Sequence, residues 1–324
     1  MILAGIDEAG YGPLLGPLVT ASAALRLPGL ATQPIPDLWK PLSPSVSRTR
    51  DRNNRKLHIA DSKAVYSPSL GVANLERGVL AFAAASGLPT DSLDALLSTL
   101  DPAAPAHLSR HPWYATPSPF PLVTSAASLA PTANGLRSAL ASAGISTIPT
   151  TLAARVIPEG RYNDLVVQTR NKASVLFMHV AQLIQSLLTA HAAEPGGLLL
   201  ICDRQGGRDH YGEPLRTMFP DHHLTILEES PGVSTYQLSR NTALAVISFR
   251  EKGETLSLPT ALASMVCKYL RESLMHRFNL YFQSHQPTLQ PTAGYYTDGQ
   301  RFLVDTEELR ATLAIPDREL IRAR

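Results

Sequence analysis

Two kinds of apolar pattern alternate along the chain, and together they predict a mixed α/β fold. Continuous apolar runs at residues 2–6 and 198–203 are typical of strands that are buried on both faces. Apolar residues recur at helical spacing over 171–193, and a second long helix is predicted from Pro259 to about Phe278, with proline in its first turn. Further strands are predicted at 18–27, 151–157, 223–228 and 243–250, and further helices at 70–86, 91–100, 133–143 and 305–314.

Two stretches interrupt this pattern within what we predict to be a single domain, residues 1–324. The first is a basic loop at about 40–56, which includes the sequence SRTRDRNNRK. A solvated surface is the commoner role of such a loop, and a nucleic-acid contact is the alternative. The second, at about 87–145, is rich in Ala, Ser, Pro and Leu, and it predicts an inserted subdomain in which residues 111–121 form no regular structure.

Composition narrows the class of protein only modestly. The apolar fraction of 44% is that of a globular protein with a core, and the net charge of +2 neither requires nor excludes a nucleic-acid partner. Both cysteines, Cys202 and Cys267, lie in apolar runs, which suits a reducing compartment. We found no signal peptide and no apolar run of about 20 residues. These features predict a cytoplasmic protein with no membrane segment, and we expect a monomer.

The stretch from Gly5 to Pro13 carries the first candidate chemistry. An apolar strand runs into the adjacent carboxylates of Asp7 and Glu8, and Gly10 and Gly12 follow. The glycines permit a sharp turn and the close approach of another chain, such as a phosphodiester backbone. Because neighbouring carboxylates repel, a proton or a metal ion is expected to accompany them.

Acidic residues also end or follow other predicted elements. The strand at 198–203 ends in Asp203. On the second long helix, Lys268 and Glu272 are four residues apart and share a face, with Arg271 beside them. Taken alone, this pair is most simply a surface ion pair, but the small residues around it predict that the helix packs closely on the sheet.

In order, these motifs resemble the ribonuclease HII family. The segment Gly-Ile-Asp-Glu-Ala-Gly-x-Gly-Pro at 5–13 is similar to the first motif of that family, and 61–63 (Asp-Ser-Lys) to its second. Asn171 with its helix, and the apolar run into Asp203, resemble the next block. Residues 254–272 resemble a block that contains Ala-Ser and ends in Lys-x-x-Arg-Asp, and 294–297 resemble a Gly-Tyr-x-Thr motif.

The resemblance implies an α/β protein with a ribonuclease H-like fold, in which helices flank a mixed central β-sheet and large insertions are present. It implies cleavage of RNA in RNA–DNA hybrids or at embedded ribonucleotides, with two Mg²⁺ or Mn²⁺ ions. Hard ions of this kind take oxygen ligands and can support phosphodiester hydrolysis as a pair. The implied metal-binding and catalytic residues are Asp7, Glu8, Asp203 and Glu272. The implied substrate-binding residues are Gly10, Tyr11, Gly12, Lys63, Lys268, Arg271 and Tyr295.

The chain departs from the family pattern at several positions. Tyr11 occupies the place of an arginine that helps to recognise the ribose 2′-hydroxyl, and tyrosine offers neither its charge nor its fork of donors. Glu272 stands where ribonuclease HII has aspartate, as in ribonuclease HIII, and Arg204 stands where the family has glycine. The chain is also longer than usual, chiefly at 28–56 and 87–160.

Two other functions are compatible with these motifs. The first is a nucleic-acid-binding relative that kept the fold but lost or changed the chemistry. The second is an ATPase similar to sugar or acetate kinases, in which residues 203–207 (Asp-Arg-Gln-Gly-Gly) would serve as a phosphate loop. Such kinases need a repeated second domain, and we found no internal duplication in the sequence.

Overall fold

A seven-stranded mixed sheet forms the centre of the molecule. The computed structural model describes residues 1–31, 34–67 and 69–323, with the backbone alone at residue 126. The strands of the main sheet lie in the order β5-β2-β1-β6-β9-β8-β7, and β3 and β4 form a separate parallel pair. The strands are β1 (Ile2–Ala9), β2 (Leu18–Arg26), β3 (Val46–Ser47), β4 (Leu57–His58), β5 (Leu152–Ile157), β6 (Leu198–Asp203), β7 (His223–Ser230), β8 (Val233–Arg240) and β9 (Ala243–Arg250).

Three parallel strands, β1, β6 and β9, form the middle of the sheet. The pairing Ile6↔Cys202 places the carboxyl end of β6 beside that of β1, and the pairing Asp203↔Arg250 does the same for β6 and β9. β2 runs antiparallel to β1 and β5, and β8 runs antiparallel to β7 and β9. The residues that follow the three parallel strands therefore meet at one edge of the sheet.

Helices cover both faces of this sheet, as the sequence predicts for a mixed α/β protein. A short 3₁₀ helix at Pro112–Ala115 accompanies them. The α-helices are α1 (Ser62–Val65), α2 (Ala73–Ala85), α3 (Leu93–Leu100), α4 (Ala104–Leu108), α5 (Ala126–Ser142), α6 (Glu159–Thr169), α7 (Lys172–His191), α8 (Gly212–Met218), α9 (Gly253–Leu256), α10 (Leu258–His285), α11 (Tyr296–Asp305), α12 (Glu307–Thr312) and α13 (Asp317–Leu320).

Alternate residues of β1 face two separate apolar cores. Leu3 joins the core that α10 and α2 cover, whereas Ile2 and Ala4 join the core under α7. Successive strand residues point to opposite faces, which explains this division. α7 is long and apolar enough to suit a membrane span, but its apolar face lies in the second core.

The backbones of α10 and β1 touch at Gly5. A Cβ atom added to Gly5 would lie 2.1 Å from the backbone N of Thr260, far inside van der Waals contact. Only glycine lets the helix approach the strand so closely. This contact fixes the first turn of α10 directly over the strand that carries Asp7.

Most of the predicted elements are confirmed, with several differences at boundaries. β1 continues through Asp7 and Glu8 to Ala9, so the turn comes later than predicted. α5 starts at Ala126, α10 extends to His285, and the predicted 305–314 helix corresponds to parts of α11 and α12. The sequence analysis did not predict β8 or α6, which the structure contains.

The segment 87–145 is mainly helical. Its side chains, including those of Leu97, Trp113 and Leu136, lie in the same apolar core as α10. Residues 112–115 form the 3₁₀ helix where the sequence predicts no regular structure. The proline-rich segment therefore contributes buried aromatic surface to the main core.

Candidate active site

Asp7 lies near the carboxyl end of β1 on the face that α10 covers. Its side chain is nearly buried, and the residue is 8% exposed. Ser264 is hydrogen bonded to its carboxyl group, and the Sγ of Cys267 donates to its backbone carbonyl at 3.0 Å. Burial, reinforced by the charge of Asp203, raises the pKa of Asp7 to about 8. A buried carboxylate with acidic neighbours is therefore held at the sheet edge at an energetic cost.

Glu8 is the second carboxylate of this strand. Its backbone N–H donates to Oδ1 of Asp7 at 2.7 Å. Burial raises the pKa of Glu8 well above its ordinary value, and the charges of Asp7 and Asp203 raise it further. The Lys63 ammonium acts in the opposite direction on the pKa of Glu8. Lys63 therefore lies close enough to Glu8 to act on it electrostatically.

Asp203 ends β6 and faces the same edge. Its Oδ1 accepts a hydrogen bond from the backbone N–H of Gly253, at 3.1 Å. Burial raises the pKa of Asp203, while this bond and the Lys63 charge partly offset the increase. The register of the parallel strands therefore brings Asp203 to Asp7 and Glu8, although nearly 200 residues separate them in sequence.

Glu254 is a fourth carboxylate of this group, and the sequence analysis did not select it. It lies in the first turn of α9, directly after β9. Burial raises the pKa of Glu254 to about 7, with further contributions from the charges of Asp203 and Asp61. The hydrogen bond between the two carboxyl groups raises the pKa of Glu254 and lowers that of Asp203, so Glu254 donates the proton.

A topological signal could have identified Glu254. The carboxyl ends of neighbouring parallel strands meet at one edge of a sheet. A carboxylate just after β9 is therefore expected beside Asp203, at the end of β6. We call Asp7, Glu8, Asp203 and Glu254 the carboxylate cluster.

The structure does not place Glu272, which the resemblance implies as a metal ligand, with this cluster. Its Oε1 lies 2.5 Å from Nζ of Lys268, and its Oε2 accepts a hydrogen bond from the Tyr66 hydroxyl at 2.8 Å. Glu272 is also eight residues beyond Ser264, which is roughly 12 Å along the helix axis. The helix continues past the cluster and carries Glu272 away from it.

Arg271 and Lys268 do not present free charges to a substrate either. Arg271 is 1% exposed, and its Nη2 donates to the carbonyls of Leu15 (3.1 Å) and Ala293 (3.0 Å). Lys268 is paired with Glu272 and lies over the ring of Tyr66, 4.4 Å from its centroid. Arg271, which the resemblance implies as a substrate-binding residue, instead joins two loops inside the protein.

The Gly10–Gly12 turn lies beside the cluster and is open on one side. Gly10 has φ +87°, and a Cβ atom there would lie 2.8 Å from Nε of Arg271. Gly12 is exposed with open space around it, and Nζ of Lys172 lies 5.3 Å from the Tyr11 ring centroid. Burial raises the pKa of Tyr11, so its hydroxyl stays protonated and can donate.

Two further residues border this turn. Arg322 donates to the carbonyls of Gly10 and Tyr11 and so closes the turn from the C-terminal side. Tyr295 is half-exposed, with the Arg271 guanidinium 5.7 Å from its ring centroid. The substrate-binding roles of Gly10, Tyr11, Gly12, Lys63 and Tyr295 stay predictions.

The donor chemistry of the cluster suits a hard divalent cation. Among the described residues, no three His, Cys, Asp or Glu side chains already stand at the spacing of a bound metal ion. Two of the carboxyl groups, those of Glu254 and Asp203, are instead hydrogen bonded to one another. Deprotonation would free carboxylate oxygens of the kind that Mg²⁺ and Mn²⁺ prefer. A cation would also relieve the mutual repulsion that raises their pKa values.

Comparisons with known proteins were made by sequence and by structure. No protein-family model and no curated protein gives a significant match to this sequence. In structure, the chain is similar to a chain of the PCNA–ribonuclease HII complex from Archaeoglobus fulgidus, with a TM-score of 0.42 and 14% identity, covering 100% of this chain and 95% of that one.

Two further solved structures are similar to the chain at the same level. The ribonuclease H3 of Aquifex aeolicus has a TM-score of 0.42 and 14% identity, over 99% of this chain and 71% of that one. Bst-RNase HIII, solved in complex with Mn²⁺, has a TM-score of 0.40 and 14% identity, over 99% of this chain and 66% of that one.

Proposed function

We propose that the protein is a metal-dependent endonuclease of the ribonuclease H type. Its substrate would be the RNA strand of an RNA–DNA hybrid, or a ribonucleotide embedded in a duplex. The observation that carries this proposal is the meeting of Asp7, Glu8, Asp203 and Glu254 at one buried sheet edge, where burial raises all four pKa values and neighbouring carboxylates raise those of Asp7, Glu8 and Glu254 further. Clusters of perturbed carboxylates are a recurrent feature of functional sites.

In this proposal, the four carboxylates would hold Mg²⁺ or Mn²⁺. Bound ions would supply an activated water and charge for the leaving oxygen of a phosphodiester. Ser264 and the Gly253 N–H orient Asp7 and Asp203, which limits the motion of these two ligands. Lys63 would neutralise part of the cluster or contact a phosphate oxygen beside it.

The open side of the Gly10–Gly12 turn would admit the nucleic-acid strand. Gly12 leaves space for a sugar–phosphate backbone, and the Tyr11 hydroxyl can donate one hydrogen bond. Lys172 next to Tyr11 supplies a positive charge near the position where the family has arginine. Selectivity for a ribonucleotide would then depend on a single donor, and we expect it to be weaker than a bidentate arginine would give.

A substrate panel tests this function. The protein would be incubated with an RNA–DNA hybrid, a DNA duplex containing one ribonucleotide, double-stranded RNA and double-stranded DNA, each in Mg²⁺ and in Mn²⁺. The expected products carry 3′-hydroxyl and 5′-phosphate ends, and Asp7→Asn and Asp203→Asn should lose activity. Full activity in both variants would refute the site.

The same panel, with an ATP hydrolysis assay added, decides between the alternative functions. Binding of the hybrid without cleavage in either metal would favour a nucleic-acid-binding relative that has lost the chemistry. ATP hydrolysis without nuclease activity would favour the kinase-like ATPase. Against the latter, Arg204 in the supposed phosphate loop is bonded to Asp209, with Nη1 2.8 Å from Oδ1.

A further inference from the structure

The basic loop at residues 48–56 has a defined base. β3 and β4 pair in parallel through Val46↔Leu57 and Ser47↔His58, so the chain must leave this pair and return to it. The backbone N–H of Ile59 donates to the carbonyl of Ser47 at 2.9 Å, which extends the pairing. We call residues 48–56 the cationic arm.

The arm has a fixed shape in which most of its basic side chains are exposed to solvent. Asp51, its only acidic residue, accepts hydrogen bonds from the backbone N–H groups of Arg55 (2.6 Å) and Lys56 (3.2 Å). In the described part of the chain, the one ion pair of the arm is Arg48 with Asp37, at 3.1 Å. Arg50, Arg52 and Arg55 are exposed and make no ion pair there. Five basic residues against one acidic residue therefore give the arm a strong local positive charge.

Both ends of the arm are attached to parts of the chain that border the carboxylate cluster. Arg48 stacks on Trp39 (3.8 Å to the ring centroid), and its Nη1 donates to the carbonyl of Thr255 at 2.6 Å. Thr255 directly follows Glu254. At the other end, β4 runs within a few residues into Asp61 and Lys63, both of which act electrostatically on cluster carboxylates.

A third attachment restrains the far part of the arm. Nη1 of Arg77, on α2, donates to Oδ1 of Asn54 at 3.0 Å and to the carbonyl of Lys56 at 3.2 Å. A loop that only solvates the surface needs no such anchoring. The anchors keep the exposed arginines at a set position relative to the cluster.

We propose that the cationic arm binds the phosphate backbone of the nucleic-acid duplex outside the bond that is cleaved. This inference rests on the proposed function, because it assumes that the duplex lies on the cluster. Exposed, unpaired arginines attached beside a phosphodiester site complement a polyanion. Contacts of this kind supply affinity without sequence selectivity, and each releases counterions when it forms.

The test measures the salt dependence of binding to a fluorescein-labelled RNA–DNA hybrid of about 20 base pairs, by anisotropy without divalent metal. Arg50→Ala/Arg52→Ala is compared with the wild type and with the matched control Arg216→Ala/Arg240→Ala. Both control residues are exposed, and Arg240 lies at the opposite end of the β8–β9 ladder from the cluster. Loss of two phosphate contacts should reduce the slope of log K against log salt by about 1.8.

Kinetics on the same hybrid provide the second measurement. The arm variant should show a KM raised about tenfold, since the contacts contribute uniform binding, with kcat unchanged at saturating substrate. The control variant should match the wild type in slope and in KM. Circular dichroism and thermal unfolding would verify that both double variants are folded.

The outcomes separate the arm from the proposed function. If the wild type binds and cleaves but the arm variant keeps the wild-type slope, or loses no more slope than the control, the arm is refuted and the nuclease stands. If the wild type binds without cleaving and the slope still falls only in the arm variant, the arm stands and the nuclease fails. A wild type that neither binds nor cleaves would refute both.

Discussion

The two halves of α10 place charged side chains in opposite surroundings. Near its start, Ser264 faces Asp7 in a cluster of four carboxylates, and the charge of Lys63 lowers the pKa of two of them, Glu8 and Asp203. Two turns later, Glu272 is paired with Lys268 and bonded to Tyr66. The burial and repulsion of the carboxylates in the cluster lower the stability of the fold. The charge of Glu272, in contrast, is already compensated by its partners.

Along a single helix, this difference distinguishes carboxylates that are candidates for function from a carboxylate that has a structural role. A protein that keeps buried carboxylates in repulsion needs a reason outside its own stability, and a bound cation is such a reason. A charge that already has its partners needs no ligand. On this comparison we propose that Glu254 belongs to the site and Glu272 to the scaffold.

The largest expected effect tests that assignment directly. Glu254→Gln should reduce metal-dependent cleavage of the hybrid by at least about 100-fold, because even groups that only support metal ligands are worth 10–100-fold. Glu272→Gln should retain activity within about threefold, since only an ion pair on the scaffold is lost. Initial rates at saturating Mg²⁺ and Mn²⁺ measure both variants.

These two substitutions are matched in chemistry, so each serves as the control of the other. The reverse result, an active Glu254→Gln enzyme and an inactive Glu272→Gln enzyme that is still folded, would return Glu272 to the metal set. It would also require the end of α10 to move toward β1.

The second effect concerns stability in the absence of metal. The folded-state pKa of Asp7, about 8, lies above its ordinary value of 3.8, so the protonated form stabilises the fold. That stability is complete below pH 3.8 and is lost as the pH rises through 8. Asp7→Asn should therefore be more stable than the wild type at pH 9 in EDTA, by a few kcal/mol, with a smaller difference at pH 5. Urea unfolding at both pH values measures this.

Metal addition sharpens the same experiment. Mg²⁺ or Mn²⁺ should raise the Tm of the wild type at pH 8 and raise that of Asp7→Asn much less, because binding to the folded state stabilises it. An equal rise in both proteins would mean that the ion binds elsewhere.

A smaller effect is expected from Arg271, on the scaffold side of the comparison. Arg271→Met removes the donors to the carbonyls of Leu15 and Ala293, and the first of these lies in a buried residue. The free energy of unfolding should fall by about 2 kcal/mol. The free energy of unfolding of Arg271→Lys should fall nearly as far, because one ammonium does not reproduce the two-pronged set of donors of a guanidinium. Full stability in the methionine variant would contradict the structural role of this residue.

The smallest effect is the coupling between Lys268 and Glu272. A double-mutant cycle of Lys268→Met and Glu272→Gln, measured by urea unfolding, should give about 0.5–1 kcal/mol. The pair is largely buried, with side chains 14% and 15% exposed, so the coupling should persist in 0.5 M NaCl. A coupling that disappears in salt would indicate that the pair is solvated.

The central strands were the most predictable part of the fold. The run Leu198–Asp203 coincides with β6, since a continuous apolar run before a carboxylate has few other interpretations. β8 is not predicted because it is rich in Ser, Thr, Gln and Arg, and only two of its four buried residues, Tyr236 and Leu238, are apolar. α6 was missed because Pro158 and Gly160 at its start predict a turn.

The site was predictable only in part. Asp7, Glu8 and Asp203 each end or follow an apolar run, and strand register brings them together. Glu254 lies in a four-residue helix with no periodic pattern, so only the order of the strands places it. The resemblance implies that Arg271 binds substrate, and sequence spacing does not reveal that two loops close over it.

The missing side chain at Gly5 has a consequence for how this protein can vary. Even one methyl group there would push α10 outward, and Ser264 and α9 would shift with the helix relative to Asp7. Gly5, an uncharged residue two positions before Asp7, thus determines how closely α10 lies over the carboxylate cluster. Its tolerance to substitution should be as narrow as that of the carboxylates themselves, although it performs no chemistry.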